Sequence, residues 1–267
     1  MIDPSHPGTP RLYDDLAWLW PMLSPPDHYV AEASLLNGLI VDRRGPGPKR
    51  VLELGAGGGH TLVHLAKPEA EGGPGHTCVA VDRSAPMLAN CRTLIPAAET
   101  VVGDMRDVRL DQTFDAVLVH DAIDYLLTPE DARRTLATVH HHLLPGGIAF
   151  IAPTYTRETF VDGDTAHDTA PAPSYEDRGF PEVDYFSYVH DPDPADDTFE
   201  MILLYLIRRR LGPPQSAARA VEVVEDRHTC GLFAAAQWLL WLEQADLPGE
   251  LIEEEGGAWS LFLGTRR

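Results

Sequence analysis

Three carboxylates and a run of glycines carry the chemical signal of this sequence. Glu53 lies inside Val51-Leu52-Glu53-Leu54-Gly55-Ala56-Gly57-Gly58-Gly59-His60, an apolar run that opens onto glycines. Glycines there let the backbone turn sharply and lie close against a ligand. Glu53 stands where a carboxylate can help to hold an ammonium group. Asp82 closes the next apolar run, Val79-Ala80-Val81-Asp82-Arg83, and a carboxylate at a strand end can accept both hydroxyls of a ribose. In Val102-Gly103-Asp104-Met105-Arg106, Asp104 can accept from an adenine amino group while Met105 packs on the ring. All three acids fall at the carboxyl ends of strand-like runs, where ligands of open α/β sheets bind.

Other ligand chemistries fit less well. A dinucleotide fingerprint starting at Gly55 needs glycine or alanine where His60 stands, and no phosphate-binding GxxxxGK[ST] loop occurs. His140-His141-His142 cannot converge on one metal ion, because consecutive helical residues point about 100° apart. His60 and His64 have a metal-compatible spacing without a third ligand in view. No metal site is expected.

These residues need elements to place them. Strand-like runs occur at Val51–Leu54, Cys78–Val81, Thr100–Val102, Phe114–Val119 and Gly147–Ala152, with a helix starting near His60 and others at Ala85–Leu94 and Glu130–Leu144. This alternation predicts a parallel, doubly wound α/β sheet. Before it, Leu12–Val41 reads as two helical pieces broken by Pro21–Pro26, covering a cleft. After it, Thr154–Asp197 is rich in Pro, Asp and aromatics; residues 151–200 hold nine Asp and four Glu against two Arg. That acidic stretch, 162–197, reads as a solvated loop or as a rim that attracts cations. Thr198–Arg210 and Ala220–Val224 resume as strands, Ala234–Ala245 as a helix and Trp259–Leu263 as a last strand. The expected organisation is a helical cap over 1–44 and one domain over 45–267, with 154–210 as a lid too short and polar for a core of its own.

With 267 residues, 44% of them hydrophobic, the chain can bury a substantial core. No window approaches the ~18 uninterrupted apolar residues of a membrane span. Met1–Pro10 has neither a basic nor an apolar signal region, which places the protein in the cytoplasm by default. Cys78, Cys91 and Cys230 show no metal or disulfide spacing and are expected to be reduced. A formal charge of −20 disfavours nucleic acid as a partner.

Taken together, the glycine loop, the three strand-end acids, His120–Tyr125 after the fourth strand and Leu144-Pro145-Gly146-Gly147 before the fifth resemble the class I S-adenosylmethionine (SAM)-dependent methyltransferases. Most of the chain is similar to the deoxysugar N,N-dimethyltransferases, which methylate the amino group of nucleotide-linked aminosugars. That similarity rests on Tyr13-Asp14 with Asp27-His28-Tyr29-Val30-Ala31-Glu32-Ala33-Ser34, on Gly103-Asp104-Met105-Arg106-Asp107, on Glu158-Thr159-Phe160-Val161-Asp162-Gly163, and on His228 through Gly231-Leu232-Phe233. The sequence departs from that family at Trp18–Pro26 and at His120-Asp121-Ala122-Ile123-Asp124-Tyr125, both bordering the acceptor.

The resemblance implies a class I methyltransferase Rossmann-like fold: a seven-stranded mixed sheet with helices on both faces, an N-terminal helical cap and an antiparallel insertion. It implies a SAM-dependent enzyme, S-adenosylhomocysteine as product, a small-molecule acceptor and a homodimer. The cofactor-contacting set is then Tyr13, Glu53, Gly55, Ala56, Gly57, Asp82, Arg83, Met87, Asp104, Met105 and His120. Methyl transfer from a sulfonium is an in-line displacement, so positioning and exclusion of water can supply most of the catalysis. An amine acceptor must also be neutral, which calls for a proton-accepting group nearby. Tyr13, His120, Tyr125 and His228 are the catalytic candidates, with Asp121 beside them. An aminosugar-like amine in secondary metabolism, a hydroxylated natural product methylated on oxygen, and SAM binding without catalysis all remain open at the level of sequence.

Overall fold

The computed structural model describes residues 10–170, 181–212, 218–253 and 260–267. The frayed lead expected at Met1–Pro10 lies almost wholly outside these residues, as does Trp259 of the expected last strand.

Five parallel strands form from short apolar runs of the sequence. They are β1 (Arg50–Leu54), β2 (Thr77–Asp82), β3 (Glu99–Val102), β4 (Phe114–His120) and β5 (Leu143–Ala152). Two antiparallel strands, β10 (Gly249–Glu253) and β11 (Ser260–Thr265), complete a seven-stranded sheet of order β10-β11-β5-β4-β1-β2-β3. Because alternate side chains face opposite sides, Val51 enters one core layer and Leu52 the other. The first layer packs α2 (Val30–Arg44), α3 (Leu62–Leu65) and α4 (Ala85–Leu94) on the sheet. The second packs α5 (Pro129–His142) and α6 (Ala235–Gln244), with Trp238 and Trp241 fully buried. Strand order reverses between β1 and β4, so the carboxyl ends of β1, β2 and β4 open onto one crevice.

Local chemistry sets the helix starts. Ser84 Oγ accepts the Met87 amide at 3.0 Å ahead of α4, and Thr128 Oγ1 accepts the Asp131 amide at 3.1 Å ahead of α5. Pro86 and Pro129 sit in the first turns, where a missing N–H does no harm.

A second sheet, four antiparallel strands in the order β6-β7-β8-β9, stands over the crevice. It comprises β6 (Thr165–Ala170), β7 (Glu182–His190), β8 (Thr198–Arg210) and β9 (Arg219–Gly231). Its inner face, with Val183, Leu203, Tyr205, Ile207 and Val224, packs against Leu12, Leu16, Leu19 and Met22 of the N-terminal segment.

Several elements differ from the sequence expectations. The first of the two expected helical pieces is a chain of single turns: 3-10 turns at Arg11–Tyr13 and Ala17–Leu19, then α1 (Trp20–Leu23). Pro10, Pro21, Pro25 and Pro26 withhold the amides a longer helix would need. The helix expected at His60 is one turn, beginning at Leu62 and ending before Pro68. The acidic stretch is not a loop throughout: β6 and β7 lie within it. In β7 buried Val183 and Val189 alternate with outward Asp184, Phe186 and Tyr188, a period of two that the surrounding Asp and Pro obscure. β9 runs seven residues past the expected Val224, and acidic β10 had no apolar run to announce it. No described helix is long and apolar enough to cross a membrane.

Candidate active site

A cavity of about 550 Å³ lies between the crevice, the N-terminal segment and the four-stranded sheet. Its floor is the glycine turn after β1. Gly55 has φ +77°, and its N–H donates to Val81 O at 2.8 Å. A Cβ at this position would stand 2.2 Å from Ala122 Cβ, so no other residue fits. The next two residues, Ala56 and Gly57, also line the cavity, and Met87 of α4 lines it beside them.

The three strand-end carboxylates come together there in different electrostatic states. Asp82 accepts Gly57 N–H at 2.8 Å through one oxygen and Ser84 N–H at 2.7 Å through the other. Burial pushes its carboxyl up against the opposing pull of these amides. Glu53 is 5% exposed, and its Oε2 has no hydrogen-bond partner. Burial first, then the nearby Glu32, Asp121 and Asp82 charges, raise it well above the ordinary glutamate value. Asp104 behaves oppositely: burial raises it, but the Arg106 guanidinium at 2.7 Å and the Arg106 amide at 2.9 Å outweigh this and hold it low. Arg106 also reaches Asp131 at 3.2 Å, and exposed Arg83 stands 3.6 Å from Asp104. Both oxygens of Asp104 are therefore engaged by Arg106, and an adenine amino group would use its remaining lone pairs. Met105 is buried beside it.

The same cavity holds groups able to move a proton. His120, at the end of β4, has Nδ1 3.3 Å from Glu32 Oε1 and Nε2 3.2 Å from Asp121 Oδ1. Asp121 adopts φ +49°, a strained conformation for a residue with a side chain. The 3-10 turn that follows, Ala122–Tyr125, is anchored by buried Asp124, which accepts the Thr154 amide at 3.2 Å. This turn presents Tyr125, whose hydroxyl donates to Tyr13 Oη at 2.9 Å and lies 2.6 Å from His228 Nδ1. Desolvation raises the pKa of both phenols, so both are neutral. Tyr13 is fixed by its backbone carbonyl, which accepts from Ser84 Oγ.

Twelve of the thirteen candidate residues thus line one cavity, as does Asp121 beside them. The thirteenth, His228, is 2% exposed and sits one residue back from the wall, behind Tyr125. Of the histidines weighed for metal, His60 and His64 diverge: His64 Nε2 meets Pro26 O at 2.8 Å, whereas His60 stacks on Trp20. His142 is a core residue that accepts Leu110 N–H at 2.9 Å.

Sequence reading missed the aromatic end of the cavity. Trp20 and His60 stack with centroids 5.8 Å apart, and Tyr29 meets both His60 and His120 edge-on at 5.7 and 6.4 Å. Burial pushes His60 down to about 4. Trp20 Nε1 and His60 Nδ1 are buried without partners, like Glu53 Oε2. Three unpartnered polar atoms on residues lining one cavity are the mark of a polar ligand's place. An amino-acid ammonium suits the Glu53 carboxylate, a ribose the strand end at Asp82, and a sulfonium the aromatic, acidic surround. The residues present thus fit SAM. The only sequence hint of Trp20 was the unusual Trp- and Pro-rich stretch at 18–26.

Comparison with known proteins agrees with this geometry. Residues 51–147 match the model of a methyltransferase domain. The dTDP-3-amino-3,4,6-trideoxy-alpha-D-glucopyranose N,N-dimethyltransferase of Streptomyces venezuelae is 34% identical over 136 residues, 51% of this chain and 54% of the relative. The match thus spans about half the length of the curated relatives. Streptomyces venezuelae DesVI superimposes with a TM-score of 0.74 at 26% identity, covering 100% of both chains. SAM-bound CalS10, an amino pentose methyltransferase from Micromonospora echinaspora, gives 0.71 at 23% identity, covering 90% of this chain and 92% of its own. Domain, fold and the chemistry of the crevice converge: residues 51–147 match a methyltransferase domain, and the chain is similar to the dTDP-aminosugar N,N-dimethyltransferases, which use S-adenosylmethionine.

Proposed function

We propose that the protein transfers a methyl group from SAM to the amino group of a small, aminosugar-like molecule in secondary metabolism. One observation carries this reading: Glu53, with its unpartnered Oε2, and Tyr13 and Tyr125, backed by His228, line the same cavity. When bound, SAM supplies an electrophilic methyl group. The chain's own residues hold the reactants, exclude water and accept a proton.

In this reading Glu53, Asp82, Asp104 and the Gly55–Gly57 turn hold the cofactor, with Met87, Met105, Ala56 and Arg83 around it. Tyr13, Tyr125 and His120 face the acceptor. The acidic lining favours a cationic amine and a sulfonium over an anionic acceptor, and the net charge of −20 works against nucleic acid. We place the protein in the cytoplasm, consistent with three buried, unpaired cysteines. We also propose a homodimer. The outer face of the four-stranded sheet exposes Phe186, Tyr188, Leu204, Val221 and Val223, an apolar strip of the kind that self-association covers. Light scattering should give twice the chain mass, and a monomer would remove this part of the proposal.

The test of function is a panel of amines and hydroxylated natural products, incubated with SAM and read by product mass. Its first member is the dTDP-aminosugar that the Streptomyces venezuelae relative is named for. Methylated amines are expected. Methylation confined to hydroxyls would make this an O-methyltransferase, and SAM binding without turnover across the panel would leave a non-catalytic binding protein.

A further inference from the structure

The proton chain does not end at His228. His228 Nε2 lies 3.1 Å from Asp226 Oδ2, two residues earlier on β9 and facing the same side of the sheet. The contact is off the axis of an ideal N–H bond, so it acts mainly through charge. Both groups are buried, at 2% and 5% exposure. The same carboxylate has a second duty. Its Oδ1 accepts Arg11 N–H at 3.0 Å, and its Oδ2 accepts Leu12 N–H at 2.8 Å. These amides open the 3-10 turn that carries Tyr13, where helix-start donors lack partners of their own. Tyr13 closes the circuit, because its hydroxyl meets that of Tyr125.

We propose that Asp226 is a positioning residue that links docking of the N-terminal segment to proton acceptance, by holding the Arg11 and Leu12 amides and His228 with one carboxylate. This inference rests on the reading of the site as an amine methyltransferase. With the proton of His228 on Nε2, 3.1 Å from Asp226 Oδ2, Nδ1 is left as an acceptor; the Tyr125 hydroxyl, which donates to Tyr13 Oη in the structure, then turns to Nδ1 2.6 Å away and takes the Tyr13 hydroxyl as its own donor. The proton an amine must shed is taken up by Tyr13 as Tyr13 gives its own to Tyr125, and Tyr125 gives its own to Nδ1. One proton leaves the amine nitrogen and one arrives on His228, while each phenol gives one and takes one. The resulting imidazolium faces the Asp226 carboxylate, which offsets its charge. Without the docked segment Tyr13 is absent and the chain of donors stops at Tyr125, so an open site cannot use His228.

The facing groups support a carboxylate at this position. Burial raises Asp226, but His228 and the two amides outweigh it and hold it below the usual range. Tyr205, on the neighbouring strand, contributes a neutral phenol.

The experiment compares wild type with Asp226→Asn and Tyr125→Phe as full-length chains, saturated with S-adenosylhomocysteine for exchange and ring shifts and with SAM for turnover. Hydrogen exchange at residues 10–16 reads docking, and ring ¹⁵N shifts of His228 read its tautomer. Turnover of the best panel amine reads the chemistry. Asp226→Asn should speed exchange at Arg11 and Leu12, move His228 away from the Nε2–H tautomer, and lower kcat on the order of a hundredfold with the acceptor KM nearly unchanged. Tyr125→Phe should lower kcat without speeding exchange, and the two substitutions together should cost little more than either alone, as members of one unit do. Faster exchange with an unchanged tautomer and unchanged kcat would reduce Asp226 to a structural clip. Additive losses would also overturn the proposal. If no panel amine is turned over, the functional reading fails, while exchange and tautomer still decide whether one carboxylate governs both. Should Asp226→Asn not fold, Asp226→Glu, which keeps the charge but not the reach, is expected to separate the readouts in the same direction.

Discussion

The Asp82 carboxylate accepts the Gly57 amide at 2.8 Å and so ties the end of β2 to the turn that leaves β1. The turn is therefore set before any ligand arrives, and the acid that shapes it is the one proposed to hold the ribose. Asp82→Ala removes both roles. Titration calorimetry should show SAM and S-adenosylhomocysteine affinity falling at least about tenfold, or about 1.4 kcal/mol, whereas Asp82→Asn keeps an oxygen for Gly57 and should lose less. Equal binding by wild type and the alanine variant would remove Asp82 from the cofactor site.

Gly55→Ala confronts the fold directly, since φ is +77° and the new methyl would overlap Ala122 Cβ at 2.2 Å. Overpacking and left-handed strain together should destabilise the protein by roughly 1–3 kcal/mol and abolish cofactor binding. Adding Ala122→Gly relieves the overlap and leaves the backbone strain, so the double variant should melt between wild type and Gly55→Ala. A single variant as stable as wild type would contradict the turn geometry.

Glu53 should make cofactor binding depend on protons. Its carboxyl is raised well above the ordinary 4.5 by burial, so above pH 4.5 the folded protein keeps a proton that the unfolded chain has lost. Stability of the free protein then falls as pH rises through that window. Glu53→Gln should flatten the fall and weaken SAM binding. A cationic ligand drives the proton off, so the binding heat should vary with buffer ionisation enthalpy in wild type and not in the variant. Buffer-independent heat would show that Glu53 does not meet the ammonium.

His60 works in the reverse direction. Burial lowers it from 6.5 to about 4, so between these values the unfolded chain takes a proton that the folded one refuses. Stability should fall as pH drops from 6.5 toward 4, by up to about 3 kcal/mol in full, and His60→Asn should lessen the fall. Melting temperature against pH for the two proteins settles it. Parallel curves would mean that His60 is solvated rather than sealed against Trp20.

The residues proposed to hold the cofactor could be placed in one crevice from the sequence because their signals are local. Glu53, Asp82 and Asp104 each end an apolar run, and glycines mark the turn within ten residues of Val51. The parallel sheet followed from the same runs. The acceptor half is assembled by contacts between distant segments, which leave little local trace. Trp20 reaches His60 only because the N-terminal turns fold back over the glycine loop. Asp226 sits in Glu222–His228, a charged run that resembles solvated surface until the period of two along β9 shows Val224, Asp226 and His228 sharing the inner face. Tyr13, Tyr125 and His228 entered through family resemblance, and only the folded chain brings their polar atoms within 3 Å of one another in sequence.

The bond between Leu12 and Asp226 spans 214 positions of the chain. During synthesis the glycine turn and its three acids emerge long before β9 does, so a nascent chain owns a cofactor crevice with nothing to cover it. Docking of the first segment must wait for nearly the last sheet strand, which makes closure of so long a loop a late event in folding. In the proposed reading methyl transfer is thereby withheld from unfinished molecules: Tyr13 becomes part of the site only once β9, some two hundred positions later, has been made.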